Sequence, residues 1–467
     1  MTQHPTAANL GWTRLLWGRQ SCLQPPFRRL LTLITIASTL LFTSCTPGIR
    51  DEAALRRALA TGTIVLPAGV IEIHSELTAP ENIQALEIRG QGPSTILRAA
   101  PDFHGRAIIS VKSGTHIRLH DFVIEGARDA IEQRLALPPY DRPFAQFFRN
   151  NGILLETVTD AAITHVRFHQ IAAFPILVTA SKTIRIDHVE IENSGSRNLA
   201  GRNNTTGGIL FEEGTTDFQV TDSGLKNIRG NGIWTHSLYT SPRNADGLIA
   251  RNAIGWVGRD AIQVGHATRI RVENNIGEHI GYPESIVDIE NKAVPVAIDT
   301  AGNTDQSVYS ANQFVSINGK CIDLDGFHHG EVTGNFCGDM KNFGIVMNNT
   351  NPDMKPDAVT ISDNTIQNAA YGGIFVIGSD NKILRNKLIN LNQSKCETCL
   401  YVPSEPDMLR SGIYLGRGAD RPAVARGNVI EDNEITGFHM TSHCVGIAPT
   451  VSAGSNKVER NRCSDVY

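Results

Sequence analysis

One short pattern recurs along this chain and restricts its fold more than any other feature. A small residue is followed by Ile, then any residue, then Val, Leu or a similar side chain. It reads NGILL at Ile153, GGILF at Ile209, NGIWT at Ile233, DAIQV at Ile262, VAIDT at Ile298, KCIDL at Ile322, FGIVM at Ile345, GGIFV at Ile374 and SGIYL at Ile413. Roughly ten residues after most of these comes a second short run ending in Asn, as in IRVENN, VTGN, VTISDN, ILRN, VIEDN and VERN. The closest anchors, Ile298, Ile322 and Ile345, lie 23–24 residues apart. The runs are short, alternate with period two and are punctuated by Gly and Asn, which excludes helices and predicts strands. Several short strands per repeat of this length stack as a parallel β-helix, each strand pairing with its equivalent one turn above and below. Asn at the turns tolerates left-handed backbone and suits internal side-chain hydrogen-bond ladders.

These repeats make the chain resemble the right-handed parallel β-helix, or pectin-lyase-like, superfamily over residues 105–467. The fold class implied is all-β, a single right-handed parallel β-helix solenoid. The stretch DEAALRRALATGTIVLPAGVIEIHSEL resembles the superfamily's opening. It predicts a short amphipathic helix from about Asp51 that caps the first coil and shields its sheet edge, followed by a strand. Residues 45–104 are then an N-terminal cap with the first strands. Longer gaps mark insertions near 126–150, 194–206, 237–247, 281–297, 350–357 and 392–411.

Residues 1–44 read as an export signal. Arg28-Arg29 precede the apolar run LLTLITIASTLLFTSC, which is too short for a comfortable membrane span. LFTSC resembles a bacterial lipobox, making Cys45 a lipidation site and the envelope the destination; plain secretion and an uncleaved anchor are the alternatives. Export implies an oxidising compartment, so the cysteines after Cys45 are expected to pair. Cys321 with Cys337, and Cys444 with Cys463, occupy equivalent points of two repeats; Cys396 and Cys399 lie in an insertion and form the third pair. A zinc site at CETC would need a second ligand pair. With 43 basic against 47 acidic residues, the balance predicts no nucleic-acid footprint, and any membrane contact runs through the anchor alone.

Alignment of the anchors puts Ile inward and the next residue outward. The outward column runs Leu210, Trp234, Gln263, Asp299, Asp323, Val346, Phe375, Tyr414. Strands of a sheet lie about 4.8 Å apart, so Asp299 and Asp323 are expected as neighbours in solvent, with Asp325 diagonal to Asp299 in a second column that also holds Glu212 and His236. Adjacent carboxylates repel, which raises the pKa of one of them and gives no stability reason to place them together. Paired carboxylates about 5 Å apart suit retaining glycosidases, and about 6.5–9.5 Å inverting ones. Ordinary surface Asp residues or a calcium site are the plainer readings. Trp234, Phe375 and Tyr414 are expected as exposed platforms for sugar rings, with His236, Gln263, His266 and Arg259 beside them.

Polygalacturonase-like members of the superfamily resemble the wider spacing. That likeness implies acid and base roles for Asp299, Asp323 and Asp325, supported by His328 or His329. Their Asn-Thr-Asp, Asp-Asp, Gly-His-Gly and Arg-Ile-Lys motifs do not occur in order here. Lyases and epimerases of the same fold use a basic residue on the C5 proton; Lys292, Arg259, His266 and Lys320 are candidates, with Asp288, Glu290 and Asp299 as calcium ligands. The expected function is therefore an exported carbohydrate-active protein that hydrolyses or eliminates a polysaccharide or oligosaccharide, with no cofactor, or calcium for a lyase. The alternative is a non-catalytic, surface-tethered glycan-binding or structural β-helix.

Overall fold

The computed structural model describes residues 49–136, 138–203, 206–287, 294–349, 356–418 and 421–466. The expected export signal and Cys45 lie outside them. Every strand pairing described is parallel, and each strand bonds its equivalent in the preceding and the following coil, so the chain winds as a solenoid with three strand ladders. Parallel crossovers of this kind are right-handed.

The anchor column is continuous. Ile109, Ile153, Ile176, Ile209, Ile233 and Ile262 stand in register. Ile298, Ile322, Ile345, Ile374 and Ile413 continue it. All are buried in the core. The small residue before the anchor has a steric reason. A Cβ on Gly208 would lie 1.5 Å from the carbonyl oxygen of Gly232, and one on Gly373 2.5 Å from that of Gly412.

The repeated Asn forms the expected ladder. Asn252, Asn275, Asn312, Asn335, Asn364, Asn386, Asn433 and Asn461 are stacked. Each amide Nδ2 donates to the next Oδ1 at 2.8–3.0 Å. The residue before several of them holds a left-handed corner, as Asn274, Asp363 and Asp432 do. Its side chain points to solvent, where Asp222 pairs with Arg251, Asp363 with Arg385 and Asp432 with Arg460. Exposed pairs of this kind add little stability; the buried amides carry the corner.

At the N-terminal end, Asp51 caps the helix Glu52–Ala58 by accepting from the Ala54 N–H at 2.7 Å. Leu55 and Leu59 are buried against the first coil. The Arg56 guanidinium donates to the Glu76 carbonyl at 2.7 Å and the Ser75 carbonyl at 2.8 Å, on the strand Gly69–Thr78. The disulfides are Cys321–Cys337, Cys396–Cys399 and Cys444–Cys463, with Cα separations of 6.1, 5.8 and 5.7 Å. Their presence fits an oxidising compartment outside the reducing cytosol.

The outward column has the predicted register but not the predicted exposure. Its N-terminal part lies beneath the insertion at 126–150. Phe144, Phe148 and Phe174 enclose Leu154, Leu177, Leu210 and Trp234 in a second apolar cluster. The Phe144 and Trp234 rings meet edge to face with centroids 4.9 Å apart. Trp234 is 6% exposed, Phe375 4% and Tyr414 1%. The expected sugar platforms are therefore core residues of two covered ends. Phe375 and Tyr414 pack at 6.0 Å, and Tyr401, Val402, Glu405 and Met408 of the second insertion stand over Val346 and Phe375.

Each cover is fixed by a buried glutamate. Glu212 accepts the backbone N–H groups of Phe144 and Ala145, both at 2.8 Å. Glu405 accepts those of Arg417 at 2.8 Å and Gly418 at 3.0 Å. Glu212→Ala is expected to leave two donors unpaired and cost about 1–3 kcal/mol. Limited proteolysis should then cut within residues 126–150 faster than in the parent protein.

Candidate active site

Between the two covered ends, three successive coils present polar residues in the outward column. Gln263 of the strand Ile262–Glu273, Asp299 of Val296–Asp305 and Asp323 of Lys320–His328 are direct register partners. One strand spacing, about 4.8 Å, separates the backbones of the two acids. Asp299 is half-buried and Asp323 only 7% exposed, so the pair is recessed and not on an open sheet as expected.

Gln263 Nε2 donates to Asp299 Oδ2 at 2.7 Å, and Asn231 Nδ2 orients that Gln by donating to its Oε1, also at 2.7 Å. The Lys320 ammonium donates to Asp323 Oδ2. Asp323 Oδ1 is buried and has no hydrogen-bond partner among the described residues. A third acid, Asp260, is buried nearby and accepts from the Val296 N–H at 2.8 Å.

The electrostatics differ from group to group. Burial raises the Asp299 pKa well above the usual carboxylate range, and the charges of Asp260 and Asp323 add to it; Gln263 and Lys320 oppose the rise. Burial also pushes Asp260 up, against the pull of Arg259 and the Val296 N–H. Burial works against the Lys320 ammonium, but the charge and hydrogen bond of Asp323, with smaller contributions from Tyr401 and Asp299, outweigh it and leave its pKa raised. The centre thus holds one carboxyl kept towards its neutral form beside another bonded to a cation. A pocket of about 70 Å³ opens next to it, lined by Lys320, Val294, Asn342, Asn348, Tyr401 and Glu405 among others.

The remaining candidates are distributed as follows. Asp325 stands opposite Ala301 and Asn348, two residues along the strand from Asp323. His328 and His329 do not overhang the acids. The chain turns at Gly326, which carries φ 71°, and His328 then pairs with Asp305 in the next ladder. His329 takes a left-handed corner and bonds the Asp357 carbonyl. His236 is packed against Phe144 and Trp234, and His266 against Tyr239. His279 stacks on Trp256. Arg259 acts on Asp260 through its charge. Lys292, Asp288 and Glu290 lie outside the described residues. Asp299 alone of the expected calcium ligands is described. No step is derived through that ion.

The sequence reading missed Asp260. Its signal was its place two residues before the anchor Ile262, the place Lys320 holds before Ile322.

No curated protein sequence matches the chain. Among solved structures, the pre-mature gene product 12 of bacteriophage phi29 aligns with a TM-score of 0.55 at 14% identity, covering 88% of this chain and 55% of its own. The catalytic unit of a GH87 alpha-1,3-glucanase from Streptomyces thermodiastaticus strain HF3-3 aligns at 0.50 and 13%, covering 89% and 67%. The surface protein and adhesin PfbA of Streptococcus pneumoniae aligns at 0.51 and 12%, covering 90% and 96%. At such identities these likenesses concern the fold. The sequence itself matches the family described as Right handed beta helix region over residues 207–388 and again over 296–467, more than half of the chain. With three parallel ladders, an unbroken isoleucine column and that match, the chain belongs to the right-handed β-helix family.

Proposed function

We propose that this protein is an exported, lipid-anchored glycoside hydrolase that acts on a polysaccharide or oligosaccharide at Asp299 and Asp323. One observation carries the reading: two carboxyl groups on adjacent strands in unlike surroundings, one bonded to an amide and one to an ammonium. Glycosidic cleavage needs a protonated acid to deliver a proton to the departing oxygen and an ionised carboxylate on the other side of the sugar. Asp299, raised by burial and by two neighbouring acids, supplies the proton. Asp323, whose Oδ2 is bonded to the Lys320 ammonium, takes the carboxylate role. Their register, one strand apart, favours the roughly 5 Å carboxyl separation of retaining enzymes over the wider one of inverting enzymes. The glucanase named above lends support as a β-helix that performs this class of reaction. The signal and lipobox-like LFTSC support export and anchoring through Cys45.

The test is reducing-end release from a panel that includes α-1,3-glucan and polygalacturonate. Asp299→Asn and Asp323→Asn should each lower turnover at least about 100-fold while ligand binding persists. Activity should fall as pH rises through the Asp299 pKa, because the proton donor is lost. A product absorbing in the ultraviolet would replace hydrolysis with elimination. The low exposure of Asp323 favours a second reading, a glycan-binding β-helix whose acids are structural. Binding without turnover on every glycan would establish it.

A further inference from the structure

Apart from the acids described above, Glu212, Glu213 and His236 converge at another point of the same face. Glu212 and His236 are register partners on the adjacent strands Ile209–Glu212 and Ile233–His236. Glu213 follows in a left-handed corner with φ 55°. One ligating atom from each of the three lies within 4.8 Å of the other two. We propose that Glu212, Glu213 and His236 form a binding site for a divalent transition metal, zinc by preference, which ties the 126–150 insertion to the body of the solenoid.

Ligand chemistry favours this. Two carboxylate oxygens and one imidazole nitrogen match zinc, whose ligands sit about 2.0–2.2 Å from the ion. A shift of under about 1 Å by each side chain brings the three atoms to that distance from a common centre. The carboxylates are already oriented by backbone donors, as metal ligands usually are. Glu212 is held by Phe144 and Ala145, and Glu213 Oε1 accepts the Leu238 N–H at 3.0 Å. Each oxygen retains a second lone pair for a metal.

An independent observation points the same way. Nδ1 of His236 and Nδ1 of neighbouring His266 are both shielded from water and have no hydrogen-bond partner among the described residues. His266 is 8% exposed. A buried imidazole nitrogen left unpaired is costly unless something binds it.

The site can be read by fluorescence, because the Trp234 and His236 rings lie 5.3 Å apart. In a background with Trp12, Trp17 and Trp256 each replaced by Phe, the protein is stripped with EDTA and titrated with cobalt(II), then competed with zinc sulfate; calorimetry with zinc gives the stoichiometry. The expected result is saturable Trp234 quenching at one ion per chain, reversed by zinc, and a higher Tm with zinc. His236→Ala and the milder Glu213→Gln should each weaken binding at least 10-fold. His188→Ala, at the exposed trio Asp187, His188 and Asp222, should leave the quenching unchanged. Absence of quenching, or affinity unchanged in both His236→Ala and Glu213→Gln, would overturn the proposal. So would quenching that is lost in His188→Ala alone.

Discussion

Lys320→Met is expected to lower the free energy of unfolding by roughly 3–5 kcal/mol at pH 8, the usual consequence of removing one partner of a buried ion pair. The Lys320 side chain is 16% exposed and its ammonium is bonded to Asp323. Without it, Asp260, Asp299 and Asp323 face one another with Arg259 as the remaining nearby cation acting on Asp260. The loss depends on pH, and its sign follows from linkage. Burial already holds the Asp260 pKa at about 6, and holds Asp299 above its ordinary value as well. The unfolded chain therefore gives up these protons first as pH rises from about 4, so the carboxyls destabilise the fold increasingly towards pH 7. Removing Lys320 deepens that effect, so the deficit should be smallest near pH 4 and largest at pH 8. Urea unfolding at the two pH values checks this. An equal loss at both would mean that the lysine acts through the packing of its stem alone.

Asn335→Ala is the second large effect, with an expected cost of roughly 3–5 kcal/mol. Asn335 Oδ1 accepts from the Asn312 backbone at 3.0 Å and from Asn312 Nδ2 at 2.9 Å. Its Nδ2 donates to the Tyr309 carbonyl and to Asn364 Oδ1, both at 2.9 Å. Alanine removes all four bonds from a corner that excludes water and leaves a void. The last rung gives an internal comparison. Asn461 is only part-buried, so Asn461→Ala should cost under about 1 kcal/mol. If urea midpoints show the two variants equally affected, the ladder does not hold the central coils together.

Much of the fold was legible because the solenoid repeats one constraint. The small residue before each Ile reflects the close approach of the next coil's carbonyl, and the terminal Asn of each run reflects a ladder. Ile176 does not show the pattern because Pro175 precedes it in place of a small residue, and Ile109 because Ile108 does. The register of Asp299 and Asp323 followed directly from the anchors. Exposure did not, because alternation assigns a face without saying what lies over it. That information sat in the insertions: Phe144, Phe147 and Phe148 cluster where a solvated loop would carry polar residues, and Met408 and Leu409 do the same in the second cover. The histidines were misplaced because Gly326 ends the straight strand before they begin.

The two glutamate-clamped covers have a consequence for ligand size. Between Trp234 and Val346, Gln263, Asp299 and Asp323 stand between the two covers among the described residues, a recessed window three strands wide, or about 14 Å, in which Gln263 is 8% and Asp323 7% exposed. If sugars bind there, a long polymer has no continuous track along the solenoid axis. It must lie across the window or enter by one end, so the enzyme proposed here should trim chain termini or short oligomers in preference to cutting at random within a polymer.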